Sequence, residues 1–184
     1  MRHFALHRTV RRPTVADPLA SAPAGLRETW SARLAGVAAV LGRLAPGALP
    51  RTPDLVKSLE LAADLKDRSH VWLALAALSG TFPDERAVVD VGRACELGGG
   101  GALWAEVARS TTPASARLPV QIVAGQTLVD VSHTVENDLA TGIQRVAFAT
   151  ASRWLVTTSC IPVAWTAEFG SLRELTTVER ARLG

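Results

Sequence analysis

Two stretches of the chain hold residue types able to do chemistry: Asp130-Val131-Ser132-His133-Thr134 and Thr141-Gly142-Ile143-Gln144-Arg145-Val146. The first ends a β-branched run and opens a polar loop, Ser132–Leu139. The second opens a helix. A loop beyond the carboxyl end of a strand and before a helix N-terminus is where open α/β sheets bind ligands. Unpaired N–H groups at such a helix start attract phosphate-like anions, and Gly142 lets a ligand come close to the backbone. Each residue also has a structural reading. Asp130 can fix the loop by accepting backbone N–H bonds. Thr141 can cap the helix, and Gly142 can serve close packing of helix on sheet. His133 has no carboxylate partner identifiable from the sequence and reads as a solvated loop residue. Arg145, one turn into the helix, reads as solvated or ion-paired, and Asp138 is a further polar candidate. No catalytic group is assigned. Cys95 and Cys160 stand 65 residues apart without a CxxC or a Cys/His cluster, so no metal site is expected.

Val129-Asp130-Val131-Ser132-His133-Thr134, followed by Asp138-Leu139-Ala140-Thr141-Gly142-Ile143-Gln144-Arg145-Val146, resembles the opening of bacterial GT-B glycosyltransferases of the family-four type. In those enzymes a first strand leads to a TGIQRV-like turn that opens the first helix. Trp165-Thr166, Leu172–Thr176 and Glu179–Leu183 also resemble the next segment of those enzymes, so the likeness covers about residues 126–184. Residues 26–109 add a faint similarity to small helical modules attached to such enzymes. The resemblance implies two Rossmann-like domains facing across a cleft. It also implies a turn, here Thr141 and Gly142, approaching the donor diphosphate and sugar. The implied activity is retaining transfer of a hexose from a nucleotide sugar to a glycan or lipid-linked acceptor, with no separate cofactor. The family's pair of glutamates eight positions apart has no counterpart among the glutamates of this chain. The nucleotide-binding half is therefore expected to be missing and the 184-residue chain to be inactive alone, its donor and acceptor bound only once a C-terminal domain completes it. The alternative is a noncatalytic helical binding or scaffolding module with a relic βαβ unit, whose uncovered sheet would leave apolar area for a protein partner or self-association.

The elements that position these residues can be read from periodicity. Residues 1–25, with Pro13, Pro18, Pro23 and Gly25, read as a tail and linker. Trp30, Leu34, Val37, Leu41 and Leu44 recur at steps of three and four and predict a helix opening at Leu26. Asp54 starts a second, and Leu55, Leu59, Ala62 and Ala63 continue the spacing. His70–Leu78 predicts a buried helix ending near Gly80. Thr81 or Asp84 caps the next helix, whose inner face is Val88, Val91 and Cys95. Gly98–Gly101 reads as a helix–helix turn and not a phosphate loop, since no Lys-Ser/Thr comes after it. Ala102–Ala108 is a further short helix. The region 26–109 is thus expected to be a helical domain.

Beyond Thr111-Thr112-Pro113 the pattern changes. Val120–Val123 and Thr127–Val131 are expected to pair as a hairpin across Ala124-Gly125. The helix after Thr141 is expected to bury Ile143, Val146, Ala147, Thr150, Ala151 and Trp154, and Ile161–Trp165 is a strand. Strand, helix and strand make a βαβ unit, the start of an incomplete Rossmann-like fragment over 118–184. The fold class is α plus α/β. Trp30, Trp72, Trp104 and Trp154 are expected in the core.

Charge argues against a nucleic-acid partner. Arg2, Arg8, Arg11 and Arg12 put +4 on residues 1–12, and the remaining 16 bases and 17 acids give −1, a neutral body. The acid-free start is shared with some transit peptides but lacks their Ser-rich continuation, and it reads as a frayed tail. No apolar run exceeds eight residues, against about 20 for a membrane-spanning helix. With no readable secretory signal and two free thiols, the expected location is the cytoplasm.

Overall fold

The computed structural model describes Leu19 and residues 22–42, 54–136, 141–167 and 170–183. Most of the expected tail, and Leu44, lie outside them. Six helices come first: α1 (Ala24–Val40), α2 (Leu55–Ala62), α3 (Arg68–Ser79), α4 (Glu85–Gly98), α5 (Gly101–Ser110) and α6 (Pro113–Arg117). No strand falls within 54–97, as the helical spacing predicts. Trp30, Leu34, Val37 and Ala38 form the buried face of α1. Trp30, Leu34 and Ala38 join Leu55 and Leu59 of α2, Val71, Leu75 and Leu78 of α3, and Leu103, Trp104 and Val107 of α5 in one apolar core.

The caps explain the helix starts. Asp54 accepts from the Lys57 amide at 3.0 Å, and Asp84, not Thr81, caps α4 by accepting from Ala87 N at 2.7 Å. Between α4 and α5, Gly99 adopts φ +76° and Gly100 donates its N–H to Glu60 Oε1 at 2.8 Å. The anion position at the start of α5 is therefore filled by the chain's own carboxylate, which is why this glycine run is a turn and not a phosphate loop. Gly80 ends α3 at φ +78°, and a Cβ there would stand 3.1 Å from the Ser115 carbonyl oxygen.

The second part is a three-stranded mixed sheet with helices: β1 (Thr127–Asp130), α7 (Ser132–Glu136), α8 (Gly142–Thr157), β2 (Cys160–Trp165), β3 (Leu172–Glu174) and α9 (Thr177–Arg182). The strand order is β1-β2-β3. β1 pairs parallel with β2, Leu128 opposite Ile161 and Asp130 opposite Val163, so the expected βαβ connection is present. β3, unforeseen in the sequence, returns antiparallel to β2 with Trp165 opposite Leu172. A small separate core joins Val131, Val135, Ala151, Ala164, Leu175 and Leu183. At α9, Glu179 takes two 2.7 Å bonds from Arg173 and closes a capping box with Thr176. The Arg173 guanidinium, helped by the Thr176 amide, holds the Glu179 carboxyl down to about 2.

Four expectations are corrected. Val120–Val123 forms no strand and no hairpin; Val120 and Ile122 instead line a groove against Gly36 and Val40 of α1. That apolar surface satisfies them better than an exposed two-stranded ribbon would. The loop Ser132–Leu139 contains α7, whose Val135 is buried. Trp72 and Trp154 are not in the core: they are 39% and 50% exposed, while Trp30 and Trp104 are buried. On α8, the face expected to be buried faces solvent, with Ile143 at 85% and Val146 at 67%, and Ala151 is its one buried member. Ala151, at the edge of that stripe, and Leu155, further round the helix, make the contact with the small core.

Candidate functional site

Because β1 and β2 run parallel, α8 must return from the carboxyl end of β1 to the amino end of β2. Its first turn, Thr141-Gly142-Ile143, therefore lies on the carboxyl side of the sheet. The last residues of the two strands are tied together there. Asp130 Oδ1 accepts from the Ser132 amide at 2.9 Å and from Ser132 Oγ at 2.6 Å, and Oδ2 accepts from Trp165 Nε1 at 3.0 Å. The Trp165 amide in turn donates to Ser132 Oγ at 2.8 Å. The Ser132 hydroxyl and amide, with the Trp165 indole, hold the Asp130 carboxyl below its ordinary range. A general base working near neutrality needs the opposite shift. Asp130 is a latch on the strand end, matching its structural reading.

Thr141 caps α8 in a capping box. Its Oγ1 accepts from Gln144 N at 3.4 Å, and Gln144 Oε1 accepts from the Thr141 amide at 3.1 Å and from Thr141 Oγ1 at 2.9 Å. The structural reading of Thr141 is therefore observed. That of Gly142 is not. Gly142 is exposed, and a Cβ built on it meets nothing within 4 Å among the described residues, so no packing on the described sheet depends on it. Among the described residues, the amides of Gly142 and Ile143 have no acceptor, as expected for the first turn of a helix. Arg145 is exposed and makes no ion pair among the described residues. His133 is exposed on α7, which packs against α8, α9 and β2. Asp138 lies outside the described residues.

Two features of the structure went unseen in the sequence. Trp165 links the site to the bundle: its ring meets Phe82 edge-on at 5.9 Å, and Phe82 meets Trp72 at 5.4 Å. The Phe82 amide also donates to the Gly170 carbonyl at 2.7 Å. These contacts join the helical bundle to the carboxyl end of the sheet. The other is Arg33, buried in α1 and donating to the carbonyls of Leu78, Ser115 and Leu118 at 2.8, 2.6 and 2.8 Å.

Among the described residues no group of three His, Cys, Asp or Glu side chains is placed to hold a metal ion, and no helix is long and apolar enough to cross a membrane. Cys95 is buried, with burial pushing its thiol up, and Cys160 is half-buried. No family model, curated protein or solved structure matches the chain.

Proposed function

We propose that the α/β unit is the opening of the acceptor-side domain of a GT-B sugar transferase, and that the start of α8 approaches a nucleotide-sugar diphosphate. The observation that carries this reading is the open first turn of α8. Among the described residues the amides of Gly142 and Ile143 have no acceptor and a Cβ on Gly142 would have no neighbour within 4 Å, on the carboxyl side of a parallel strand pair. Fixed N–H donors at a leaving diphosphate stabilise charge that develops as the sugar departs. In this reading the reaction retains configuration and moves a hexose onto a glycan or lipid-linked acceptor, and the fold is Rossmann-like. The 184 residues contain no two glutamates eight apart, so a separate nucleotide-binding half must supply the donor site.

The test is to read the encoding DNA beyond codon 184 and its neighbouring frames, express the chain with the Rossmann half found there, and assay hexose transfer. Gly142→Val is expected to cut transfer at least about tenfold, roughly 1.4 kcal/mol of barrier. The melting temperature should hold, because the added side chain enters open space. Undiminished transfer by the variant, or the lack of any companion half, overturns the proposal.

A second reading, a noncatalytic docking module, is favoured by the apolar stripe of α8. Ile143, Val146 and Trp154 are all half or more exposed along one face of the helix, an uncommon surface for a solitary soluble unit. A hydrophobic dye should bind the chain, and Ile143→Glu with Trp154→Glu should abolish that binding. A monomer by light scattering that binds no dye counts against an open docking face.

A further inference from the structure

The aromatic series that ends at Trp165 begins at a groove. Arg68, Ser69 and Trp72 of α3 face Pro83, Glu85 and Val89 at the start of α4 across a space of about 490 Å³. The groove is wide open to solvent. Trp72 is 39% exposed in a helix whose residues 74–79 are all buried. The indole is nevertheless held in place. Phe82 packs on it at 5.4 Å and is itself fixed by the Trp165 edge and by its bond to Gly170. An exposed but immobilised indole is a flat apolar platform that loses little side-chain freedom on binding.

Two charged groups flank the platform. Arg68 and Glu85 are both exposed, and neither makes an ion pair among the described residues. One brings only donors and the other, when ionised, only acceptors. A singly charged ligand meets one opposite and one like charge there, so neither sign is favoured. A neutral ring with an apolar C–H face and a rim of hydroxyls satisfies all three groups: the face stacks on Trp72, and the hydroxyls accept from Arg68 and donate to Glu85. That description is a pyranose. The platform is also connected, through Phe82 and Trp165, to the Asp130 latch at the carboxyl end of β1.

We infer that the Trp72 groove binds a neutral hexose unit of a glycan. This deepens the transferase reading, on which its role as the acceptor site rests, by naming the acceptor class and placing its recognition on the helical bundle.

Protein labelled with ¹⁵N at tryptophan has five indole N–H groups, of which Trp72 reports the groove. Maltotetraose, cellotetraose, mannotetraose and β-1,4-galactotetraose are titrated in turn. At least one is expected to shift the Trp72 signal saturably while leaving Trp30 and Trp104 unmoved. Trp72→Ala and, independently, the surface change Arg68→Ala should each weaken that binding at least tenfold, measured by calorimetry. If none of the four sugars shifts Trp72, or if both variants bind as the parent does, the inference fails. Transfer by the joined protein with no sugar shifting Trp72 would sink the groove while sparing the transferase reading. Groove binding with no transfer by the joined protein would do the reverse.

Discussion

Arg33→Ala is expected to lower the melting temperature by roughly 10 °C, the equivalent of about 3 kcal/mol for a chain of this size. Arg33 is 6% exposed, and no carboxylate pairs with it among the described residues. Its partners are three carbonyls near the C-terminal ends of α3 and α6, where the helix dipoles place partial negative charge. Burial pulls the guanidinium's pKa down, yet arginine stays charged throughout the accessible range. The three bonds thus replace the water the cation gave up, and they tie α1 to α3 and to the segment leading into the sheet. Each hydrogen bond to a charged group is worth about 1.5–3 kcal/mol. The total falls short of their sum because Arg33 borders an open groove from which water can reach the freed carbonyls. Arg33→Lys should recover part of the loss, since one ammonium cannot span three acceptors as a planar fork does. Arg33→Met should recover little, because it restores packing and leaves the carbonyls unbonded. Thermal melts followed by circular dichroism order these variants. A shift under about 2 °C for alanine would mean that water substitutes fully for the side chain, and the clamp would be of no consequence.

Arg33 also shows where the sequence is legible and where it is not. It lies three residues after Trp30 and one before Leu34, on the apolar face whose spacing marks α1. A charge inside a hydrophobic stripe is a readable signal, but its partners are 45 to 85 residues away, and no local pattern names them. Local rules do well where the physics is local. Asp54, Asp84 and Thr141 cap the helices they precede, and three-and-four spacing marks the buried faces of α1 to α5. They fail where a distant partner decides. Two adjacent β-branched runs suggest a hairpin, but Thr127–Asp130 pairs with a strand about 30 residues later, and Val120 and Ile122 pack on α1. On α8 two apolar stripes compete, and the larger one faces solvent because the small core can cover only Ala151 and Leu155. At the candidate site the residue types are legible, but their geometric roles are not. Thr141 is occupied by its cap, Asp130 by its latch, and Gly142 faces open space among the described residues.

The other large effect is expected at Trp104. Its side chain is fully buried, stands 5.4 Å from the Trp30 ring, and donates from Nε1 to the Leu55 carbonyl at 3.1 Å. It therefore pins α5 to the start of α2 as well as filling the centre of the bundle. Trp104→Ala removes the largest block of core volume together with that bond, and should cost about 3–5 kcal/mol. Against a typical stability of about 5–15 kcal/mol, the bundle would be left close to unfolding. Trp30 provides the control. It is equally buried and belongs to the same pair, but its Nε1 has no acceptor among the described residues. An unsatisfied buried donor costs about 1–3 kcal/mol, which offsets much of the packing the indole contributes. Trp30→Phe sheds that donor along with part of the ring, so the two changes oppose each other. It should alter stability by less than about 1 kcal/mol. Trp104→Phe sheds a satisfied donor and should cost about 1–2 kcal/mol, because bond and volume are lost together. Urea unfolding of the three variants tests this order. If Trp30→Phe proved more destabilising than Trp104→Phe, packing alone would rank the two tryptophans, and the bond to Leu55 would not be what sets them apart.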